Sequence, residues 1–337
     1  MSQTHEASRL SVPLSVLDLV PVREGGTVRE AIANAVDLAK TAEDAGYARF
    51  WVAEHHAMDG IAGGAAAVVL SAIGHATDTI RIGSGGIMLP NHNPFVIAEQ
   101  FGTLDALFPG RIDLGLGRAP GADSRIAAAF RKNLAQAAEY FPQDVQELRA
   151  LFTGKPALAL SATPGLGADV EMWMLGSSLF GARLAAKLGM PYTFASHFAP
   201  DHLDAALALY RRDFQPSDAL ERPHVMAAMT VIAADTDEEA EFLASSLEQS
   251  FVRLRTGSPG KLPPPVAGYR ASLPANLQAM LEHIGQARAV GAPVTVANSI
   301  KAFVERTGAD EIIVSGATFD PDARTRSIRL TMEAIAS

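Results

Sequence analysis

The chain has 337 residues, of which 48% are hydrophobic and 19% are charged, so it can bury a large apolar core. Its formal net charge of −9 at pH 7 argues against a general nucleic-acid binder and against docking on an anionic membrane, since both need a basic surface. The absence of cysteine excludes disulfides, thiolate metal sites and cysteine nucleophiles.

The amino-terminal sequence MSQTHEASRL lacks the basic and apolar regions of a signal peptide, and the longest apolar stretch is too short to span a bilayer. We therefore expect a cytoplasmic protein with no membrane and no nucleic-acid partner.

Strand-like and helix-like patterns alternate along the chain, which is typical of βαβ units. The helices that follow the first three strands are predicted at 27–46, where Thr27 and Glu30 suggest a capping box, at 64–77 and at 94–107. The eight strand candidates are 11–20, 48–54, 79–89, 111–117, 170–176, 192–198, 224–234 and 310–316.

Eight such units predict an α/β protein, a (β/α)8 TIM barrel with insertions after strands 4 and 7. A doubly wound open sheet stays as the alternative, because periodicity does not separate the two architectures. We expect a single domain over 1–337, with insertions at about 118–169 and 235–309. Each insertion is interpreted either as a lid or binding loop or as a solvated linker.

In a barrel, chemistry takes place at the carboxyl ends of the strands. A strand-like run ends in WVAEHH, which brings Glu54, His55 and His56 to that face. The predicted face also carries Asp18, Met88, His92, Arg118, Ser177, Ser178, Ser196 and His197. A metal site of His55 with His92, His197 and Asp18 is one interpretation, although adjacent strand residues point to opposite faces and the chain lacks an HExxH motif.

The segment WMLGSSLFGARLAAKLGMP (173–191) predicts a strand, two serines and a helix. Free backbone N–H groups and small hydroxyls at a helix start can hold a phosphate, and ordinary capping by Ser177 or Ser178 is the simpler alternative. The segment LGLGRAPG (114–121) does not match a dinucleotide fingerprint, but places Arg118 where it could pair with a phosphate. Gly85 and Gly86 within a strand suggest a bulge or a flat ligand lying against the backbone.

These segments resemble the bacterial luciferase-like flavin-dependent monooxygenase superfamily, most closely its single-chain luciferase-like oxidoreductases. The resemblance extends from Ser15 to about Ile335. It is carried by LDLVPV, WVAEHH, GGIMLPNHNP, RIDLGLGRAPG, WMLGSSLFGARLAAKLGMPYTFASHF and TGADEIIVSG, in that order.

The resemblance implies that reduced FMN binds at the barrel mouth as a co-substrate, supplied by a separate NAD(P)H:flavin reductase, and that O2 and a small organic substrate react there. His55 matches the family's catalytic histidine. The cofactor-binding positions implied are Glu54, Gly85, Gly86, Gly117, Arg118, Gly176, Ser177, Ser178 and Leu179. A non-proline cis peptide is expected near Gly85 and Gly86, no resident metal is expected, and family members are commonly homodimers.

One departure from the light-emitting subunit limits the resemblance. A reactive cysteine precedes the arginine in that subunit, and this chain has Gly117 there. Light emission and oxidation of long-chain aldehydes are therefore not implied, and the substrate stays open. The alternatives are a deazaflavin-dependent dehydrogenase of the same superfamily, a non-catalytic flavin-binding protein and a metal-dependent TIM-barrel hydrolase.

Overall fold

The computed structural model describes residues 12–118, 128–130, 133–154 and 160–336. The amino-terminal stretch, the first residue of the first strand candidate and residues 119–121 of the LGLGRAPG segment lie outside this part of the chain. The strands are β1 Leu14–Asp18, β2 Arg49–Val52, β3 Arg81–Met88, β4 Ile112–Gly117, β5 Val170–Gly176, β6 Tyr192–Phe194, β7 Val225–Ala233, β8 Arg288–Gly291 and β9 Glu311–Ser315.

Eight of these strands form a closed parallel barrel. Strands β1 to β6 pair in sequence order, β6 then pairs with β7, β7 with β9, and β9 with β1. The pairing of β6 with β7 closes the circle and excludes the doubly wound open sheet. The predicted (β/α)8 barrel is confirmed, and each of the eight strand candidates contains one barrel strand.

The ninth strand, β8, was not predicted from the sequence. It lies outside the barrel and pairs with the carboxyl-terminal half of β7, Thr230 with Arg288 through Ala233 with Gly291. Its four residues lie within the long connection after β7.

Helices pack around the outside of the barrel. Helix α1 begins with the predicted capping box, in which the Thr27 hydroxyl accepts from the Glu30 N–H and the Glu30 carboxylate accepts from the Thr27 N–H. The helices are α1 Val28–Asp44, α2 Ala66–Ala76, α3 Pro94–Leu107, α4 Leu134–Thr153, α5 Leu179–Leu188, α6 Leu203–Asp213, α7 Asp237–Arg255, α8 Tyr269–Ser272, α9 Ala275–Ile284, α10 Pro293–Thr307 and α11 Pro321–Ala336. Within the described ranges, none of them is both long and apolar enough to cross a bilayer.

The amino-terminal end of the barrel is filled by a charged layer. The Arg49 guanidinium lies 2.9 Å from the buried Asp113 carboxylate and 3.3 Å from the carboxylates of Glu171 and Glu311. Above this layer the rings of Trp51 and Trp173 pack edge to face with centroids 5.4 Å apart. Because charged and bulky side chains fill these two layers, the barrel interior leaves room for a ligand at the opposite, carboxyl-terminal end.

The Pro/Gly-rich stretch after α7 is joined by backbone hydrogen bonds to the loop that follows β1. Leu262 donates its N–H to the Val22 carbonyl at 2.9 Å, and Glu24 donates to the Leu262 carbonyl at 2.8 Å. The Val22 N–H in turn donates to the Gly60 carbonyl at 2.9 Å. This segment therefore lies over the carboxyl ends of β1 and β2 rather than extending into solvent as a linker.

Candidate functional site

The loop after β2 positions an acid and two histidines at the carboxyl end of the barrel. Glu54 is buried, whereas His55 and His56 are half-buried, so the loop separates a buried carboxylate from two accessible rings. Ala57 has φ of 52°, and Val20 after β1 has φ of 51°. Both are left-handed conformations that are unfavourable for residues with a side chain, and such residues cluster at functional sites.

Glu54 holds two imidazole rings from different strands. Its Oε1 atom accepts a short hydrogen bond from Nε2 of His56 and lies 2.7 Å from Nε2 of His92, which follows the turn after β3. The Glu54 side chain is 1% exposed, against 18% for His56 and 28% for His92. The ring of Phe130, from the connection after β4, packs edge-on against His56 with centroids 5.0 Å apart.

His55 lies beside this network in a less polar environment. Burial lowers the pKa of His55 below its ordinary value; the Glu54 carboxylate opposes this shift, and His56 adds to it. The imidazole is therefore disposed to stay neutral near pH 7 and can accept a proton.

The four residues of the sequence-based metal interpretation do not come together. Asp18 accepts hydrogen bonds at 2.8 Å from Arg324 of α11 and from the Val20 N–H. These bonds give Asp18 a structural role. Burial lowers the pKa of His197 to about 4. Among the described residues, the group with three ligand-type atoms within 4.8 Å of one another is Glu54, His56 and His92, and these atoms already hydrogen-bond to each other.

The two glycines of β3 are required by the packing of the protein itself. The Gly85–Gly86 peptide bond is cis, as the resemblance implied. A Cβ on Gly85 would lie 2.5 Å from Leu17 Cδ1, and one on Gly86 would lie 2.5 Å from the Gly115 carbonyl oxygen. Packing within the protein is therefore enough to explain why these two residues are glycine, and no flat ligand is required. The backbone at Gly85 and Gly86 could still contact such a ligand.

Gly117 and Gly176, by contrast, are not required by internal packing. These residues end β4 and β5, which are neighbouring strands. A Cβ on Gly117 would meet the Ile87 carbonyl oxygen at 3.6 Å, and one on Gly176 would meet Gly181 Cα at 3.7 Å, which are ordinary contacts. The missing side chains leave the backbone accessible at two neighbouring points of the mouth, which we call the cradle: Gly117 on the barrel-interior face and Gly176 on the face towards α5.

Arg118 and the start of α5 meet beside this cradle. The Arg118 guanidinium lies 4.1 Å from the centroid of the Phe180 ring in the first turn of α5, and its Nε donates to the Ala138 carbonyl at 3.1 Å. Ser178 is the N-cap residue, but its side chain makes no capping hydrogen bond. The alternative of ordinary capping by Ser178 is therefore wrong. Among the described residues its hydroxyl and the first N–H groups, including that of Leu179, have no hydrogen-bond partner, so they could bind an anion.

Comparisons with known proteins identify the family of this chain. The family model described as "Luciferase-like monooxygenase" matches residues 12–311. The chain belongs to the luciferase-like monooxygenase family. It is 47% identical over 324 residues to a protein named "Luciferase-like monooxygenase" from Escherichia coli K12, covering 96% of this chain and 97% of that protein.

Two solved structures share the fold of this family member. The crystal structure of apo-MsnO8 has a TM-score of 0.90 at 34% identity, covering 96% of this chain and 98% of that one. The oxygenating constituent of 3,6-diketocamphane monooxygenase from Pseudomonas putida, solved in complex with FMN, has a TM-score of 0.71 at 19% identity, covering 97% and 98%. At that identity the second likeness concerns the fold alone.

The described residues fit a phosphate-bearing flavin. An uncapped helix start, an arginine and a glycine cradle lie together at the ends of β4 and β5, and a backbone surface from β3 lies beside them. Sequence reasoning missed the positions of His92 against Glu54, Phe130 against His56 and Phe180 against Arg118. The asparagine-histidine pattern after β3 placed His92 at the mouth, but its partner lies 38 residues away in sequence.

Proposed function

We propose that this chain is an FMN-dependent monooxygenase, which uses reduced flavin from a separate NAD(P)H:flavin reductase and O2 to oxidise a small organic substrate. When bound, reduced FMN supplies the electrons that activate oxygen. The chain's own residues bind the flavin, hold it at the mouth, exclude water and handle protons.

The observation that carries this proposal is the meeting of Arg118 with the first turn of α5. Stacking on Phe180 at 4.1 Å holds the guanidinium plane next to the free N–H groups of the helix start. A guanidinium and a helix start both favour a phosphate dianion. Ser177, Ser178 and Leu179 would hold the phosphate together with Arg118, and Gly176 would let it approach the backbone.

The flavin ring would then lie over the adjacent strands, against Gly117 and the Gly85–Gly86 backbone. Trp51 lies directly beneath that backbone, since a Cβ on Gly85 would come within 3.1 Å of Trp51 Cβ. His55 is the proposed catalytic residue, because burial favours the neutral ring that can accept a proton. The Glu54 carboxylate is occupied by two histidines, so its contribution to the site is made through them.

Anaerobic titration with FMN, reduced FMN and the reduced deazaflavin coenzyme tests this function. We expect reduced FMN to bind most tightly of the three. When oxygen is admitted, we expect oxygen consumption that depends on the bound flavin. Preference for the deazaflavin would instead indicate a dehydrogenase, and binding without oxygen chemistry would indicate a flavin carrier. Binding of none of the three would refute the flavin proposal.

We also propose a homodimer in the cytoplasm. Helices α2 and α3 are neighbours and expose apolar side chains: Val68 is 72% exposed, Val96 45% and Leu107 49%. Apolar side chains exposed together on adjacent helices are typical of an interface between chains. Light scattering should give twice the chain mass, and Val68→Asp should reduce it to one chain; a monomer at micromolar concentration would refute this assembly.

A further inference from the structure

The histidines at the mouth differ in whether they hydrogen-bond to a carboxylate: His56 and His92 bond to Glu54, and His55 does not. The Glu54 carboxylate is buried and accepts from both Nε2 atoms, so each of these two rings has an anionic partner. His55 follows Glu54 directly in the chain, but no hydrogen bond of its ring to a carboxylate is among the bonds of the described residues. Adjacent residues of one loop therefore differ in how well they can hold a positive charge.

The geometry also fixes which nitrogen of His56 is protonated. An ionised carboxylate only accepts hydrogen bonds, so Nε2 of His56 must carry a hydrogen. A second proton on this ring must then be bound at Nδ1, on the edge turned away from Glu54. Gly64 keeps that edge clear of a side chain, since even a Cβ there would stay 3.9 Å from Nδ1.

A carboxylate bonded to one imidazole nitrogen stabilises the imidazolium that forms when the other nitrogen is protonated. Burial makes this effect larger, because Glu54 is 1% exposed and its charge is poorly screened by water. Burial has the opposite effect on His55, since it lowers the pKa of a ring that lacks such a bond. Groups whose environments separate in this way commonly serve as acid and base of one site.

We propose that His56, oriented by Glu54, is the residue that holds a proton at this site and delivers it to the bound flavin or substrate, while His55 remains neutral and accepts one. In the delivery step the Nδ1–H bond of His56 breaks, and the Nε2–H bond stays directed at Glu54. Glu54 is a positioning residue, and His92 holds the same carboxylate oxygen from the next strand. The delivery step rests on the proposed function, whereas the proton-holding state belongs to the flavin-free protein.

The ionisable groups around His56 come from two elements. Its own loop contributes Glu54 and His55, and the turn after β3 contributes His92, whose ring centroid lies 6.1 Å from that of His56. The connection after β4 contributes the uncharged Phe130 ring. Of these described neighbours, Glu54 is the acidic one, so its charge sets the direction of the effect.

Histidine NMR of the flavin-free protein tests the proposal. Ring-nitrogen signals, correlated with Cε1–H, are recorded in protein labelled at its nine histidines, and single His→Gln variants at 55, 56 and 92 assign them. We expect the neutral His56 ring to carry its hydrogen on Nε2, directed at Glu54, in the flavin-free protein. Glu54→Gln removes the carboxylate that requires this tautomer and should mix the two tautomers of His56, whereas Glu54→Asp, which keeps the charge, should restore much of the preference.

The surface pair of Asp201 and His283 is the matched control, because its carboxylate and Nε2 also lie 2.7 Å apart. Asp201→Asn should change the His283 signal and leave His56 unchanged. The proposal is overturned if the neutral His56 ring carries its hydrogen on Nδ1, or if Glu54→Gln leaves the ring-nitrogen signals of His56 unchanged. Stoichiometric zinc in the purified protein would also overturn it, since the trio would then be a metal site.

Two further measurements separate this proposal from the flavin function. If the wild-type protein does not bind reduced FMN, the function fails, while the ring-nitrogen signals of His56 still decide whether Glu54 orients this ring. If FMN binds, Glu54→Gln should slow the turnover of bound reduced flavin by about 100-fold, the usual contribution of a general acid. Unchanged turnover in Glu54→Gln would remove His56 from the delivery step.

Discussion

Replacing two glycines of β4 by alanine, one at a time, would separate cofactor binding from folding. Gly115 and Gly117 are two residues apart, so both face the barrel interior. A Cβ on Gly115 would lie 2.3 Å from the Ser84 carbonyl oxygen and 2.7 Å from Leu175 Cδ1, whereas a Cβ on Gly117 meets its nearest atom at 3.6 Å. The first substitution therefore collides with the protein, and the second enters the open mouth.

The magnitudes follow from these distances. Forcing an extra methyl group into a packed core costs about 1–3 kcal/mol, and a collision with backbone belongs at the upper end. With an unfolding entropy of about 2.1 cal/mol/K per residue, a cost of about 2–3 kcal/mol lowers Tm by about 3–4 °C. Gly117→Ala should leave Tm within about 1 °C, since no atom has to move. If the flavin lies against Gly117, the same methyl group should weaken FMN binding by about 5- to 150-fold.

Thermal unfolding of the flavin-free variants, followed by circular dichroism, gives Tm. Quenching of flavin fluorescence gives the affinity for FMN. Gly176→Ala on the neighbouring strand serves as a second test, because its Cβ also meets only ordinary contacts, at 3.7 Å and beyond. Wild-type FMN affinity in both Gly117→Ala and Gly176→Ala would refute the cradle. A fully stable Gly115→Ala would refute the packing argument on which the comparison rests.

Three further predictions follow. Arg118→Ala should weaken FMN about tenfold or more by removing a charge-assisted contact to the phosphate, and leave riboflavin nearly unchanged; equal weakening of both in calorimetry would remove Arg118 from the phosphate site. His55→Ala should bind FMN normally but turn over about 100- to 10,000-fold more slowly in stopped-flow assays, and loss of the fold would count against a catalytic role. Burial acts to raise the pKa of Glu43, but backbone hydrogen bonds from Ile80, Thr79 and Asp78 outweigh it and hold the pKa below 4.5. Because the pKa of Glu43 is lower in the folded protein, its carboxylate stabilises the fold above about pH 4.5 and loses this effect as pH falls. Chemical denaturation should therefore show Glu43→Gln to be less stable than wild type at pH 7, with the difference shrinking in acid. A stability difference that is independent of pH would contradict this explanation.

The barrel strands could be predicted from the sequence because a parallel strand buried on both faces reads as a short apolar run. Ile112–Gly117 and Val170–Gly176 are such runs, and each is bounded by turn residues. Strand β8 was not predicted from the sequence because Arg288–Gly291 has only four residues and follows a helix within a long connection. A segment of that length has no measurable periodicity, and its pairing with β7 is decided in three dimensions.

The positions of the candidate site residues at strand ends could be predicted from the sequence, but their contacts could not. The order of motifs placed Glu54, Arg118 and Ser178 at strand ends, which is a property of the chain itself. The bulge expected at Gly85 and Gly86 agrees with the register shift between Gly85 and Ile87 in the pairing of β3 with β4. The atoms that exclude a side chain there could not be read from the sequence, because they belong to Leu17 and Gly115 on other strands. The pairing of Glu54 with His92 likewise depends on the adjacency of β2 and β3.

The two ends of the barrel differ in how their charged groups are compensated. At the amino-terminal end, burial raises the pKa of Asp113, while Arg49 and Arg81 oppose the shift, so charges there are compensated within the protein. At the carboxyl-terminal end β4 and β5 finish in glycines, and beside them lie the exposed Arg118 and a helix start whose N-cap side chain makes no capping bond. Charge that an opposite charge compensates stabilises the fold. Arg118 contacts a carbonyl and a ring, and no carboxylate pairs with it among the described residues, which favours binding an anion. A related distinction separates the histidines, since the Glu54 carboxylate accepts a hydrogen bond from His56, whereas burial disfavours a proton on His55.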